Sequence, residues 1–172
     1  MTNGLDIDRL PLDAGELGLC RLPGLDGDIK GDLAHIAEFD PALVISLTTA
    51  DEMAARGAAD LPECLAEVGI NWRHFPIADF GTPPPDAAPL WRAVAAEARA
   101  ALEAGGRVLI HCKAGRGRSG TVALRLMIEA GEDPDTALAR LRAARPGTVE
   151  TEAQQGWAKA DAPAGSSAPS RP

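Results

Sequence analysis

Apolar residues recur along the chain in two alternating rhythms. LVISL (43–47) and RVLIH (107–111) are short, β-rich apolar runs, which predicts two buried strands. INWRHFPI (70–77) alternates well enough for a third strand, and LGLCRLPG (17–24) predicts a fourth, broken by Pro23-Gly24. Between these runs the spacing becomes helical. GDLAHIAEF (31–39) sets Leu33, Ile36 and Ala37 on one face, and ADEMAARG reads as a short helix closed by Gly57. Asp60-Leu61-Pro62-Glu63 joins an N-cap acid, an early proline and a glutamate three positions on, which signals a helix start. Ala87 to Ala104 predicts a long helix stopped by Gly105-Gly106. Another helix follows RVLIH as far as about Ala130; the next starts at Asp133-Pro134 and ends at Arg145-Pro146-Gly147. VETEAQQGWAKA (149–160) makes the last.

Strands alternating with helices imply an α/β fold: a central twisted sheet, parallel or mixed, covered by helices on both faces. The expected organisation is one domain over residues 17–158, an irregular segment 1–16 and a disordered Pro/Ser/Ala tail 159–172. ADFGTPPPD (78–86) is expected to be a loop, because Gly81 and three prolines break any regular structure. Ligands of such sheets gather beyond the C-terminal ends of the strands.

Composition narrows the function. With 172 residues and a net charge of −8, the chain can bury a core but is a poor general binder of nucleic acid or of an anionic membrane surface. No apolar run reaches membrane-spanning length, and MTNGLDIDRLPLDAGEL lacks the basic region and apolar core of a signal peptide, so a cytoplasmic protein without stable membrane association is expected. Three widely spaced cysteines form neither a disulfide framework nor a zinc-ligand pattern; no metal or other cofactor is expected. Any anion site must therefore be local, and cations concentrate in HCKAGRGRSG (111–120), between a predicted strand and a predicted helix.

Such a turn offers successive N–H groups and a helix dipole to an anion. Two readings compete. Gly115-x-Gly117-x-x-Gly120 matches a dinucleotide fingerprint, but the following region is the basic helix ALARLRAAR rather than a strand with an acid. The other reading takes Cys112 and Arg118 as primary, with five residues between them curling round a phosphate. Lys113, Ala114, Gly115, Arg116, Gly117 and Arg118 then form the cradle, and Arg118 grips two oxygens as a fork. The same dipole, N–H groups and cations stabilise a thiolate that can attack phosphorus. Ser119 can hydrogen-bond the sulfur and ease its departure in a second step, while the His111 ring is expected to fix the loop through backbone. Taken alone, Cys112 would read as a small buried apolar residue after a strand; that leaves three glycines and three cations in one turn unexplained.

HCKAGRGRSG resembles the HCxxGxxR[ST] signature of the cysteine-dependent protein-tyrosine and dual-specificity phosphatases. RHFPIADFGTPPPD, ARPGTVETEAQQ, GLCRLPG and the LVISL-TTADEM run resemble further segments of the cyclin-dependent-kinase-associated group and its bacterial relatives, so the similarity spans roughly residues 17 to 158. The resemblance implies a general acid on the loop before the signature. Asp79 matches that position, and Asp86, next to a helix, is expected to be an N-cap. It also implies a water-positioning glutamine, which falls on Gln154, with Gln155 as the neighbouring alternative. Trp72, Trp91 and Trp157 are expected in packing. Cys20 and Cys64 are expected as core thiols, either of which could pair with an oxidised Cys112. The implied substrate is a phosphorylated protein or small phosphomonoester. Lys113 and Arg116 exceed the catalytic need and keep an inositol phosphate or phosphoinositide phosphatase open as an alternative. A catalytically silent phospho-binding module and a rhodanese-like sulfurtransferase are the other rivals.

Overall fold

In the computed structural model of the chain, which describes residues 4–160, five strands form one sheet: β1 (Asp8–Leu12), β2 (Gly15–Cys20), β3 (Leu43–Ser46), β4 (Asn71–His74) and β5 (Arg107–His111). Their order is β1-β2-β5-β3-β4. All neighbours run parallel except the β1–β2 hairpin. The sheet is thus mixed, with β5 at its centre. Among the described residues, seven α-helices flank the sheet: α1 (Ile29–Phe39), α2 (Ala50–Ala55), α3 (Leu61–Glu67), α4 (Ala88–Glu103), α5 (Gly117–Glu129), α6 (Pro134–Ala144) and α7 (Glu152–Lys159).

Period-two alternation sorts the strand side chains between two cores. Leu17, Leu19, Leu43, Ile45, Val108 and Ile110 meet residues of α4, α5, α6 and α7 on one face. Cys20, Val44 and Leu109 meet Ile36 and Phe39 of α1, Met53 of α2, and Leu61 and Leu65 of α3 on the other. Helices therefore cover both faces, as the pattern implied. Local signals set several of their starts. Asp28 caps α1 and Asp133 caps α6, each accepting a backbone N–H three residues on. Thr49 and Thr151 form capping boxes with Glu52 and Gln154. Asp60 precedes α3 but makes no side-chain cap.

The N-terminal segment departs from expectation. Residues 1–16 were expected to be irregular, yet β1 lies within them and pairs from Asp8↔Leu19 to Leu12↔Gly15. Leu10 and Leu12 are buried and alternate with outward positions. Pro11 interrupts the pattern in sequence but is tolerated because β1 is an edge strand, where an absent N–H breaks no ladder. The sheet therefore starts upstream of residue 17. At the other end Lys159 closes α7, and residues 161–172 of the expected tail lie outside the described residues.

Since β2, β3, β4 and β5 are parallel, the segments that follow them emerge at one edge of the sheet. These are the stretch after Cys20, the α2 entry at Thr49, the Pro-rich loop after β4 and the 112–116 loop. Behind the Pro-rich loop an aromatic group closes the core. Trp91 lies 5.5 Å from Phe75 and 5.2 Å from Trp157, ring centre to ring centre, and the Arg125 guanidinium sits 4.6 Å over Trp157. Pro83, Pro84 and Pro85 line a small cleft with the two tryptophans.

Candidate active site

The chain leaves β5 at His111 and turns at once into a loop whose cysteine faces a cleft of about 200 Å³. Asp79, Phe80, Lys113, Ala114, Arg118 and Glu150 share this cleft with Cys112. The Cys112 Sγ accepts the Gly115 N–H at 3.2 Å and lies 3.4 Å from the Ser119 Oγ. Gly115 has φ +72°, and a Cβ there would fall 2.5 Å from the Cys20 carbonyl carbon and oxygen. Glycine is thus required on two counts. At Gly120 a Cβ would fall 2.8 Å from the Thr148 Cβ, which is how α5 and the 148–149 segment approach so closely.

A loop that turns N–H groups inward must turn carbonyls outward, and buried carbonyls need donors. Each one here has a partner. Leu47 N–H donates to His111 O, Leu22 N–H to Lys113 O, and Val149 N–H and Gly120 N–H to Arg116 O. The His111 Nδ1 lies 3.3 Å from Cys112 O, and Thr121 Oγ1 donates to Gly117 O. Arg145, just past α6, takes the middle of the turn: Nε donates to Gly115 O at 2.5 Å and Nη2 to Ala114 O at 3.3 Å. Its third arm pairs with Asp8 of β1 at 2.6 Å. In a trans peptide the next N–H points opposite to the carbonyl. Arg145 therefore aims the N–H groups of Gly115 and Arg116 inward.

Arg118, with only 2% of its side chain exposed, forms a bidentate pair with Glu52: Nη1–Oε2 at 2.8 Å and Nη2–Oε1 at 2.9 Å. Nη1 also donates to Ile77 O at 2.9 Å. Glu52 is anchored in turn by the Thr49 N–H of its capping box. The Arg118 hydrogen bonds hold the Glu52 carboxyl well below the usual range, at about 2. Asp79 lies on the loop after β4, with Oδ1 3.2 Å from Arg118 Nη2 and 3.1 Å from the Phe80 N–H.

His111 is fully buried, and its Nε2 lies 2.5 Å from the Ser46 Oγ, which also accepts the Trp72 indole N–H at 2.9 Å. Burial lowers the His111 pKa to about 4, so the ring is neutral. Its single proton belongs on Nδ1, facing the Cys112 carbonyl, and Nε2 accepts from the Ser46 hydroxyl. Gln154 is buried. Its Oε1 accepts from Glu150 N–H and Thr151 N–H, and its Nε2 donates to Gly81 O at 3.3 Å, which ties α7 to the loop carrying Asp79. Gln155 is only half-buried.

The structure thus gathers Cys112, Arg118, Lys113 and Asp79 at one cleft, with Ser119 buried against the Cys112 sulfur and His111 buried at the end of β5. Asp86 stays outside. It lies within a 3-10 turn (Pro85–Ala87) and does not cap α4, whose N-cap is Ala87 without a side-chain bond. Arg116 is exposed and lines a different cleft. Cys20 is buried beside the loop and burial raises its thiol pKa, whereas Cys64 is only partly buried. Glu52, Arg145 and Glu150 were not singled out from sequence. Glu52 is legible only as a helix-capping residue, and Arg145 only as a helix end.

Residues 20–132 match a family model described as a polymorphic toxin system DSP-PTPase phosphatase. The chain is 30% identical over 149 residues to cyclin-dependent kinase inhibitor 3 of Rattus norvegicus, covering 82% of this chain and 69% of the relative. A solved kinase-associated phosphatase, with its catalytic-site cysteine replaced by serine, superposes with a TM-score of 0.82 at 26% identity, covering 92% of this chain and 94% of that one. Tk-PTP in its active form gives a TM-score of 0.68 at 26% identity, covering 92% and 96%.

Because the folded Glu52 pKa lies below its ordinary 4.5, its contribution is whole above pH 4.5 and is lost as pH falls towards 2. Glu52→Gln should cost up to about 3 kcal/mol at pH 7, and urea titrations should show the gap from the parent closing between pH 4.5 and 2. A gap independent of pH would mean the ion pair is not its source. Arg145→Ala should weaken binding of inorganic phosphate and cost about 1–3 kcal/mol of stability. Arg145→Lys should recover part of the stability through the Asp8 pair but not the phosphate affinity, because an ammonium cannot span both carbonyls and Asp8; isothermal titration reads the difference.

Proposed function

The chain belongs to the dual-specificity protein-tyrosine phosphatase (DSP-PTPase) family, and on that premise we propose how this cysteine-dependent phosphatase uses its residues and that its substrates are phosphorylated side chains of proteins. The observation that carries the assignment is the environment of Cys112, whose sulfur receives a backbone N–H in a cleft that Arg118 and Asp79 also line.

The phosphate of the substrate enters the cradle with its oxygens towards the inward N–H groups and the Arg118 guanidinium. The Cys112 thiolate attacks phosphorus; an S–P bond forms and the bond to the leaving oxygen breaks. Asp79 acts as the general acid and gives a proton to that oxygen. Water then attacks the phosphocysteine, with Asp79 now the base, and inorganic phosphate leaves as Ser119 stabilises the departing thiolate. Gln154 orients this water once it releases Gly81. Glu52 holds Arg118 in the plane that meets two phosphate oxygens, and neutral His111 holds the Cys112 carbonyl; both are positioning residues. The similarity to a kinase-associated phosphatase supports a phosphoprotein substrate. The free thiol fits a reducing compartment, and we place the enzyme in the cytoplasm.

Cleavage of p-nitrophenyl phosphate in the presence of chelator tests the assignment. Cys112→Ser should abolish it, and iodoacetate should inactivate the parent with inorganic phosphate protecting. Activity that survives Cys112→Ser would overturn the reading. Asp79→Ala should lower kcat by about 10²–10⁴ on phosphopeptides with poor leaving groups and less on p-nitrophenyl phosphate. Were Asp86→Ala to show this pattern instead, the acid would be misassigned.

A further inference from the structure

A second cleft, of about 660 Å³, opens beside the catalytic one, and Ala114 lines both. The residues before β1, the segment after β2, the loop itself and the end of α6 enclose it. It has roughly three times the volume of the catalytic cleft, about 200 Å³, so it accommodates more than a phosphate group.

Its charges are mostly spent. Arg145 is paired with Asp8, and Arg21 with Asp32 at 2.8 Å and Asp26 at 3.1 Å. Two charges remain without an ion pair among the described residues: Arg116 on the loop side and Asp6 on the N-terminal wall, both exposed. Lys113 and Arg116, which look equivalent in sequence, therefore face two clefts. Lys113 lines the catalytic cleft, and Arg116 lines the one next to it. A ring carrying many phosphates would confront Asp6 and Asp26 here and Glu150 in the catalytic cleft. A polypeptide carries charges of both signs along an extended chain and suits such walls.

Resting on the phosphoprotein reading above, we propose that this cleft holds the polypeptide flanking the phosphorylated residue, and that Arg116 selects an acidic side chain close to it. Opposite charges favour that register and like charges oppose its reversal.

The test uses the full chain and phosphotyrosine peptides bearing Glu or Lys at each of the three positions on either side, with kcat/KM normalised to that of p-nitrophenyl phosphate for each variant. The parent should prefer Glu over Lys at one or more positions by about fivefold or more. Arg116→Glu should invert the preference at those positions. Asp6→Lys, on the opposite wall and away from the loop, should strengthen it. A parent indifferent to flanking charge, an Arg116→Glu variant with the parent's preference, or hydrolysis of inositol polyphosphates as efficient as that of the acidic peptides would overturn the proposal. Charge-blind hydrolysis that still requires Cys112 sinks only the cleft assignment. Failure of the parent to hydrolyse any phosphopeptide would remove the phosphoprotein reading on which the proposal stands.

Discussion

A backbone that lines an anion site with N–H groups must present an equal set of carbonyls to its own surroundings. In this chain that constraint organises the structure around residues 111–117. The strands and loops that pack behind the turn each deliver a donor: Leu22 from the segment after β2, Leu47 from the end of β3, Arg145 from the end of α6, and Val149 from the stretch before α7. The cradle is local in sequence, but what holds it comes from almost every part of the fold. The order β1-β2-β5-β3-β4 makes this feasible, since it surrounds the central strand with neighbours whose C-terminal ends lie alongside its own.

The same arrangement gives the arginine its precision. A guanidinium on the first turn of α5 would be free to swing if it faced water. Buried against Glu52 and the Ile77 carbonyl, it has one orientation. Glu52 is fixed by doubling as the third residue of a capping box, so the start of α2 and the anion site share a carboxylate. One carboxylate thereby serves both the start of α2 and the orientation of Arg118.

What could be read from the sequence was what is local in it. The strand–loop–helix of HCKAGRGRSG, the buried runs of β3 and β5, and the breaker-rich loop with Asp79 all depend on neighbours within a few residues. Glu52 and Arg145 reach their partners across 66 and 30 residues, and no short-range pattern marks such contacts. β1 escaped because Pro11 masks the alternation of Leu10 and Leu12; its strand character comes from pairing with β2 at the edge of the sheet. Lys113 and Arg116 were indistinguishable in sequence, and only the curl of the loop separates the directions they take.

The aromatic group behind the Pro-rich loop has a spectroscopic consequence. The chain contains three tryptophans and no tyrosine, so its ultraviolet emission comes almost wholly from the indoles. Two of the three, Trp91 and Trp157, form an edge-on pair 5.2 Å apart beneath Pro83, Pro84 and Pro85, downstream of Asp79 on the same loop. Displacement of that loop changes the solvent beside these rings and with it the colour and yield of their light. The molecule carries a built-in optical probe of the segment that bears Asp79, readable in a stopped-flow cuvette without any label.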